Sequence, residues 1–213
     1  MNLLNPEKGL IFRIAHIDNV PWILDHGLHC QNTPERDPNY VEIGNPELIV
    51  KRAHRPVFIQ PGGVLSDYIP FYFTPHSPML YNIRTGHNGI KQRSMSEIVI
   101  MVSSLPALAA KNIPFVFTDR HAYLQTASFF TDLARLDQIA WDLLQNRDFK
   151  RDLYDPGKFE RYQAEALVHR HLPIAGLSGI ICHGDAQKTF LQAEVEKRRQ
   201  TLQIAVKPDC YFR

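Results

Sequence analysis

Hydrophobic and polar positions along this chain follow two different periods, and the change from one to the other sets out most of its elements. Leu10-Ile11-Phe12-Arg13-Ile14-Ala15 is a short run of strand formers that stops at turn and capping residues, which predicts a first strand. Val20, Ile23, Leu24 and Leu28 then share one helical face, with Pro21 in the first turn, Asp18 or Asn19 as the cap and Gly27 as the stop. Gln31 to Asn45 is polar and punctuated by proline, so it reads as an ordered loop. Pro46 to Arg55 has room for a helical turn or two before Pro56. A loop of this length inside one domain is usually functional, which draws attention to the basic residues at its end.

The second half of the pattern is less even. Tyr68 to Pro75 is an aromatic, strand-like piece, and Glu97 to Ser103 and Phe115 to Thr118 are nearly continuous apolar runs expected at the centre of a sheet. From His121 to about Arg161 the spacing of Leu133, Leu136, Ile139, Ala140, Leu143 and Leu144 suits an amphipathic helical insertion or lid. Ala164 to Leu172 fits a helix face and a strand face equally well. A strand at Ser178 to Cys182, a helix from Asp185 to about Gln200 and a strand at Thr201 to Val206 close the chain, and no repeat is visible.

With 213 residues and 44% hydrophobic content, a single domain spanning 1–213 is expected. The net charge of +2 is too mild to announce a nucleic-acid binder. Basic clusters at Lys51-Arg52-Ala53-His54-Arg55, Ile90 to Arg93, Asp148 to Arg151 and Glu196 to Arg199 would matter only if they met on one surface. Cys30, Cys182 and Cys210 are odd in number and lack CxxC spacing, which argues against a disulfide framework and a zinc ribbon. His16, His26, His29 and Cys30 fit no regular zinc pattern, so no metal is expected. The absence of a signal segment or an apolar run of about 20 residues points to a cytoplasmic protein without a membrane partner.

Four stretches together resemble one family in the same order along nearly the whole chain. They are Ile11 to Asn19, Pro61-Gly62-Gly63-Val64-Leu65 through Tyr81, Pro114 to His121, and Gln163-Ala164-Glu165. The resemblance is to the DarT toxins, DNA ADP-ribosyltransferases. It implies an α+β fold with an ADP-ribosyltransferase-like split mixed sheet and helical insertions. It also implies NAD+ as co-substrate, a base in single-stranded DNA as acceptor, and a macrodomain antitoxin (DarG-like) as partner. Thymidine is the expected base, with guanosine in DNA, RNA or protein as alternative acceptors. A non-catalytic module that binds NAD+ or nucleic acid is the alternative of another class.

The same resemblance assigns residues. Glu165 is the catalytic carboxylate, at the start of a strand, with Gln163 two residues earlier on the same face to position the acceptor. A carboxylate suits this chemistry because breaking the nicotinamide–ribose bond builds positive charge on the sugar, and a group facing that charge stabilises the transition state more than the ground state. Arg52 stands where the family places an arginine beside NAD+ and the base; its guanidinium can pair with pyrophosphate or with a deprotonated ring imide. Arg13 departs from the histidine common in relatives but should still line the cleft. Ile14 and Ala15 would offer backbone groups to nicotinamide, and Trp22 would wall the same pocket. The NAD+-binding loop falls at about 35–55 and the substrate-recognition loop at about 121–165, where His121, Arg147, Lys150 and Arg151 are expected to meet DNA. Of Tyr68, Phe71, Tyr72 and Phe73, one or two should face the cleft and the others the core.

Overall fold

Strand β1 (Leu10–His16) and helix α1 (Val20–His26) form where the two opening periods predict them. They lie in a computed structural model that describes residues 3–212. The chain continues through β2 (Leu28–His29), α2 (Pro46–Arg52), β3 (Tyr68–Tyr72), α3 (Pro78–Thr85), β4 (Ile98–Ser104) and α4 (Leu105–Ala110). Then follow β5 (Phe115–Thr118), β6 (Phe129–Phe130), α5 (Trp141–Gln145), α6 (Lys158–Tyr162), β7 (Glu165–His169), β8 (His171–Leu172), β9 (Gly179–Cys182), α7 (Asp185–Lys197) and β10 (Gln203–Val206). Eight strands make one sheet in the order β10-β9-β4-β1-β3-β7-β5-β6, while β2 pairs with β8 apart from it. Among the described residues only β9 and β10 run parallel, and α7 supplies the crossover that parallel neighbours require. The result is a mixed sheet of the α+β class.

The sheet splits down its middle. β1 pairs with β4 along all seven of its residues, from Leu10↔Ser104 to His16↔Ile98, but meets β3 only at Phe12↔Tyr72. Two residues before Tyr72, Pro70 has no N–H to give a ladder; its carbonyl accepts instead from Arg13 Nη1 at 2.9 Å. β3 keeps its pairing with β7 for five residues, so the two half-sheets touch at one point and part beyond it.

Packing follows the split. One face is covered continuously: Ile11, Ala15, Ile69, Phe71, Val99, Met101, Ala166 and Val168 form one core with α1 and α7. On the other face the core is broken in two, with Phe12, Ile98 and Ile100 against α3 in one cluster and Leu65, Tyr68, Val116 and Leu167 in another. The gap between these clusters is a cleft.

Three expectations need correction. β5 lies next to the edge strand, and β1 and β3 occupy the centre; the apolar run of β5 reports cover on both faces, not a central place. Residues 121–161 form no continuous helix and no detached lid. They contain β6, a 3-10 stretch at Leu133–Gln138 and the short α5 and α6, and Leu136, Ile139, Trp141, Leu144 and Tyr162 belong to the main core. The apolar spacing there reflects anchorage to the sheet. Neither Asp18 nor Asn19 caps α1 through its side chain. The ambiguous stretch at 164–172 is strand β7, buried on both faces, which is why its periodicity was two-sided. Among the described residues no helix is long and apolar enough to cross a membrane.

Candidate active site

Glu165 is the first residue of β7, paired with Tyr72 at the place where the half-sheets part. Its backbone N–H donates to Thr118 Oγ1 at 3.2 Å, which fixes the start of the strand against β5. Its carboxylate is held at both oxygens: Oε1 accepts from the backbone N–H of Ala122 at 3.0 Å, and Oε2 from Arg52 Nη1 at 2.9 Å. Arg52 reaches it from the last turn of α2. That helix starts at Pro46, with the Asn45 side chain accepting from the Leu48 N–H, and has no buried residue of its own. The arginine is therefore aimed by a cap at one end of a short helix and by an ion pair at the other.

Burial opposes ionisation of Glu165, yet the Arg52 guanidinium and the Ala122 N–H outweigh it and hold the carboxyl below its ordinary range. The nearby His121 is pushed the other way from a cation, since burial and then Arg52 lower its pKa. The Tyr123 N–H also donates to His121 Nδ1 at 3.2 Å, a bond that requires this nitrogen to be unprotonated. At neutral pH the site therefore holds a carboxylate, a guanidinium and a neutral imidazole. Tyr72, beside Glu165, has its phenol pushed up by burial and by that carboxylate.

The cleft next to this group measures about 380 Å³, and Arg13, Ile14, Trp22, Arg52, His121 and Glu165 all line it. Tyr68 and Tyr72 face it as well, whereas Phe71 and Phe73 are fully buried in the core. Its far wall comes from residues of the 31–45 loop, among them Arg36, Tyr40, Ile43 and Asn45, and from Leu48 and Ile49 of α2. Two polar clamps hold that loop. The buried Asn19 side chain donates to the Val41 carbonyl at 3.0 Å and accepts from the Val41 N–H at 2.8 Å; Asn32 Nδ2 donates to Asp67 Oδ1 at 2.9 Å. Arg52 Nη2 and Arg13 Nε are buried without a protein partner. Donors of this kind on a cleft wall suit a dinucleotide, whose phosphates and ribose hydroxyls would accept from them.

Other predicted residues lie elsewhere. The Ala15 side chain is 1% exposed in the core and does not line the cleft, so only its backbone groups, the ones expected to meet nicotinamide, are left for a ligand. Gln163 is not on the strand: it caps α6 at its C-terminal end and its Nε2 donates to the Phe159 carbonyl at 3.2 Å. Arg147, Lys150 and Arg151 are exposed and do not line the cleft, and Arg147 Nη2 bonds the Asp209 carbonyl at 3.4 Å. No group of three or more His, Cys, Asp or Glu side chains suited to a metal occurs among the described residues. Sequence reasoning missed Asn19, which it took for a cap, and the Ala122 N–H, which no side-chain motif can signal.

Comparison with known proteins bears on this geometry. The family profile described as "ssDNA thymidine ADP-ribosyltransferase, DarT" matches residues 12–212. A DNA ADP-ribosyl transferase of Escherichia coli O127:H6 is 54% identical over 98% of this chain and 96% of its own length. DarT of Thermus sp. 2.9 superposes with a TM-score of 0.86 in complex with ADP-ribosylated single-stranded DNA and 0.84 in complex with NAD+, at 32% identity. Those matches cover 97% of this chain and 98% and 99% of the other. A DNA ADP-ribosyl transferase–DNA ADP-ribosyl glycohydrolase fusion protein of Thermosipho africanus is 24% identical over 97% of this chain and 50% of its own length. The chain therefore belongs to the DarT family of single-stranded DNA thymidine ADP-ribosyltransferases.

Proposed function

We propose that this protein transfers ADP-ribose from NAD+ to thymidine in single-stranded DNA, with Glu165 and Arg52 as the catalytic pair. The observation that carries the assignment of residues is the junction of Arg52, Ala122 N–H and Glu165 at the head of the cleft. NAD+ supplies the electrophile, since loss of nicotinamide leaves positive charge on the ribose carbon that the base then attacks. Glu165 stays ionised throughout the neutral range and faces that charge. Its two hydrogen bonds fix the carboxylate in advance, so little reorganisation is needed as charge develops.

The attacking atom of thymine is its imide nitrogen, which must lose a proton as the new bond forms. Arg52 is poised to stabilise the resulting base anion or the phosphates through the donor it does not share with Glu165. Neutral His121 lies close to Glu165, but its one basic nitrogen, Nδ1, already accepts from the Tyr123 N–H, so it acts as a positioning neighbour of the carboxylate and the imide proton leaves to solvent. Arg13, Ile14 and Trp22 bind the dinucleotide from the β1 side. Because the glycohydrolase of the Thermosipho relative is fused to its transferase, a DarG-like macrodomain that removes the mark is the partner this reading assigns. The pair would act as a toxin and antitoxin in the cytoplasm, where NAD+ and DNA meet.

The test is to incubate the protein with NAD+ and oligonucleotides that carry one thymidine or one guanosine, and to follow their masses. Addition of one ADP-ribose to the thymidine strand with release of nicotinamide is expected. Modification of guanosine alone, or nicotinamide release with no DNA product, would replace this reading with one of its rivals.

A further inference from the structure

Phe58 is 85% exposed, although an aromatic ring of this size is normally drawn into a core. Nor is it on a loose loop. It lies in a tight hairpin closed by a Pro56↔Val64 bridge, a Val57 N–H to Gly63 carbonyl bond of 2.9 Å and a Gly62 N–H to Ile59 carbonyl bond of 2.8 Å. The buried Tyr68 hydroxyl donates to the Gly62 carbonyl at 2.7 Å, which ties the turn to β3. Gly62 and Gly63 both take positive φ, and a Cβ on Gly63 would sit 2.5 Å from Asp67 Oδ2, so the turn depends on glycine.

Where the hairpin sits gives the exposure a meaning. Val57 is buried with Ala122 and Leu167. Ala122 is the residue whose N–H holds Glu165, and Leu167, two residues along β7, shares the sheet face of Glu165. With Val57 turned inward onto that face, its neighbour Phe58 stands out to solvent on the side of the sheet that carries Glu165, outside the cleft lining itself. The chain leading to it, Lys51 to Phe58, contains two lysine or arginine side chains besides Arg52, a histidine and no carboxylate of its own, although Lys51 is paired on the exposed surface with Glu47 one helical turn back. Arg55 is fixed there by its Nη2 bond to the Leu124 carbonyl at 2.8 Å, and its Nε is buried without a partner.

We propose that Phe58 is a stacking platform for a base flanking the acceptor thymidine, with Lys51, His54 and Arg55 facing the phosphates of the same strand. The proposal rests on the reading of single-stranded DNA as substrate given above. An unpaired strand exposes the π-face of every base together with a charged backbone, which is the complement of an exposed aromatic beside cationic residues. It also explains a preference for unpaired DNA, because a duplex would have no free base face to offer.

The experiment measures transfer at saturating NAD+ to an oligonucleotide carrying one thymidine among cytidines, and then to copies with a single abasic site at each flanking position. Phe58→Ala should raise KM for the DNA by roughly tenfold, within the range of one lost base stack, while leaving NAD+ affinity and the thermal midpoint as in the wild type. Phe58→Trp should keep the wild-type KM. At one flanking position an abasic site should weaken the wild type to the level of Phe58→Ala and abolish the difference between them. An unchanged KM in Phe58→Ala, or a defect of equal size on every abasic strand, overturns the proposal. The latter result, or loss of binding to a macrodomain partner with DNA kinetics intact, would mark Phe58 as a protein-contact residue. If the wild type modifies no thymidine strand, it is the substrate reading that fails.

Discussion

The two walls of the cleft are built on different principles. The sheet wall is backed by an interlocked apolar core: Ile69, Phe71, Ala166 and Leu167 are completely buried, and each belongs to strands paired on both sides. The opposite wall, Gln31 to Arg52, contains no buried residue at all. It is secured by Asn19 on Val41, Asn32 on Asp67 and Arg52 on Glu165. A segment with few buried apolar contacts has low local stability whatever the stability of the whole. Glu165 thus stands on the rigid wall, and Arg52 arrives on the wall with the fewer apolar contacts to hold it.

The greatest effect should come from the point where the walls join. Glu165→Gln keeps the shape and removes the charge, and transfer should fall by about 100- to 1000-fold with NAD+ binding retained, as single-turnover assays and calorimetry would show. Equal loss of binding and rate would mean that Glu165 holds the fold of the cleft instead of its chemistry. The depressed pKa of Glu165 sets a sign: stabilisation from its pairing is complete above the unfolded glutamate pKa of about 4.3 and is lost as pH falls through the lower folded value. Acid unfolding, followed in Glu165→Gln and wild type, should accordingly diverge above that pH and converge below it.

Arg52→Lys retains a cation but loses the fork that serves Glu165 and a ligand at once, so activity should drop by about 10- to 100-fold. Full activity would reduce Arg52 to a long-range charge. Asn19→Ala addresses the opposite wall alone. Removing both bonds to Val41 should raise KM for NAD+ by about tenfold, the equivalent of one to two ordinary hydrogen bonds, with kcat much less affected and with faster proteolysis between residues 31 and 45. A fall in kcat without a change in KM would show that the loop's position does not govern NAD+ binding. Smallest of all should be the joint neutralisation of Arg147, Lys150 and Arg151, which stand on neither wall. A loss of about two- to fivefold in DNA affinity with a shallower salt slope is expected if they touch phosphates away from the acceptor. An unchanged slope would exclude them from the DNA path.

How far the site was legible depended on what kind of group did the work. Glu165, Arg52, Arg13, Ile14, Trp22 and His121 could be named because they are side chains in recognisable strings, and all of them line the cleft. Gln163 was misplaced by a one-dimensional argument. A residue two before a strand need not be on it. The Ala122 N–H and the Asn19 clamp had no signature, since a backbone donor looks the same in every sequence and an asparagine before a helix reads as a cap.

By itself the sequence determined the longer strands of the opening, the centre and the close of the chain, helices α1 and α7 and, through the family resemblance, which residues to propose as the catalytic pair, because local apolar periodicity and short motifs depend on neighbours in the chain. Only the tertiary structure decided that Arg52 meets Glu165 across 113 positions, that residues 121–161 are anchored in the core, and that the sheet parts beyond Phe12 and Tyr72. Each of these is a matter of which distant surfaces are buried against one another. Strand order and ion pairing across a cleft are settled by that competition, which no local pattern encodes.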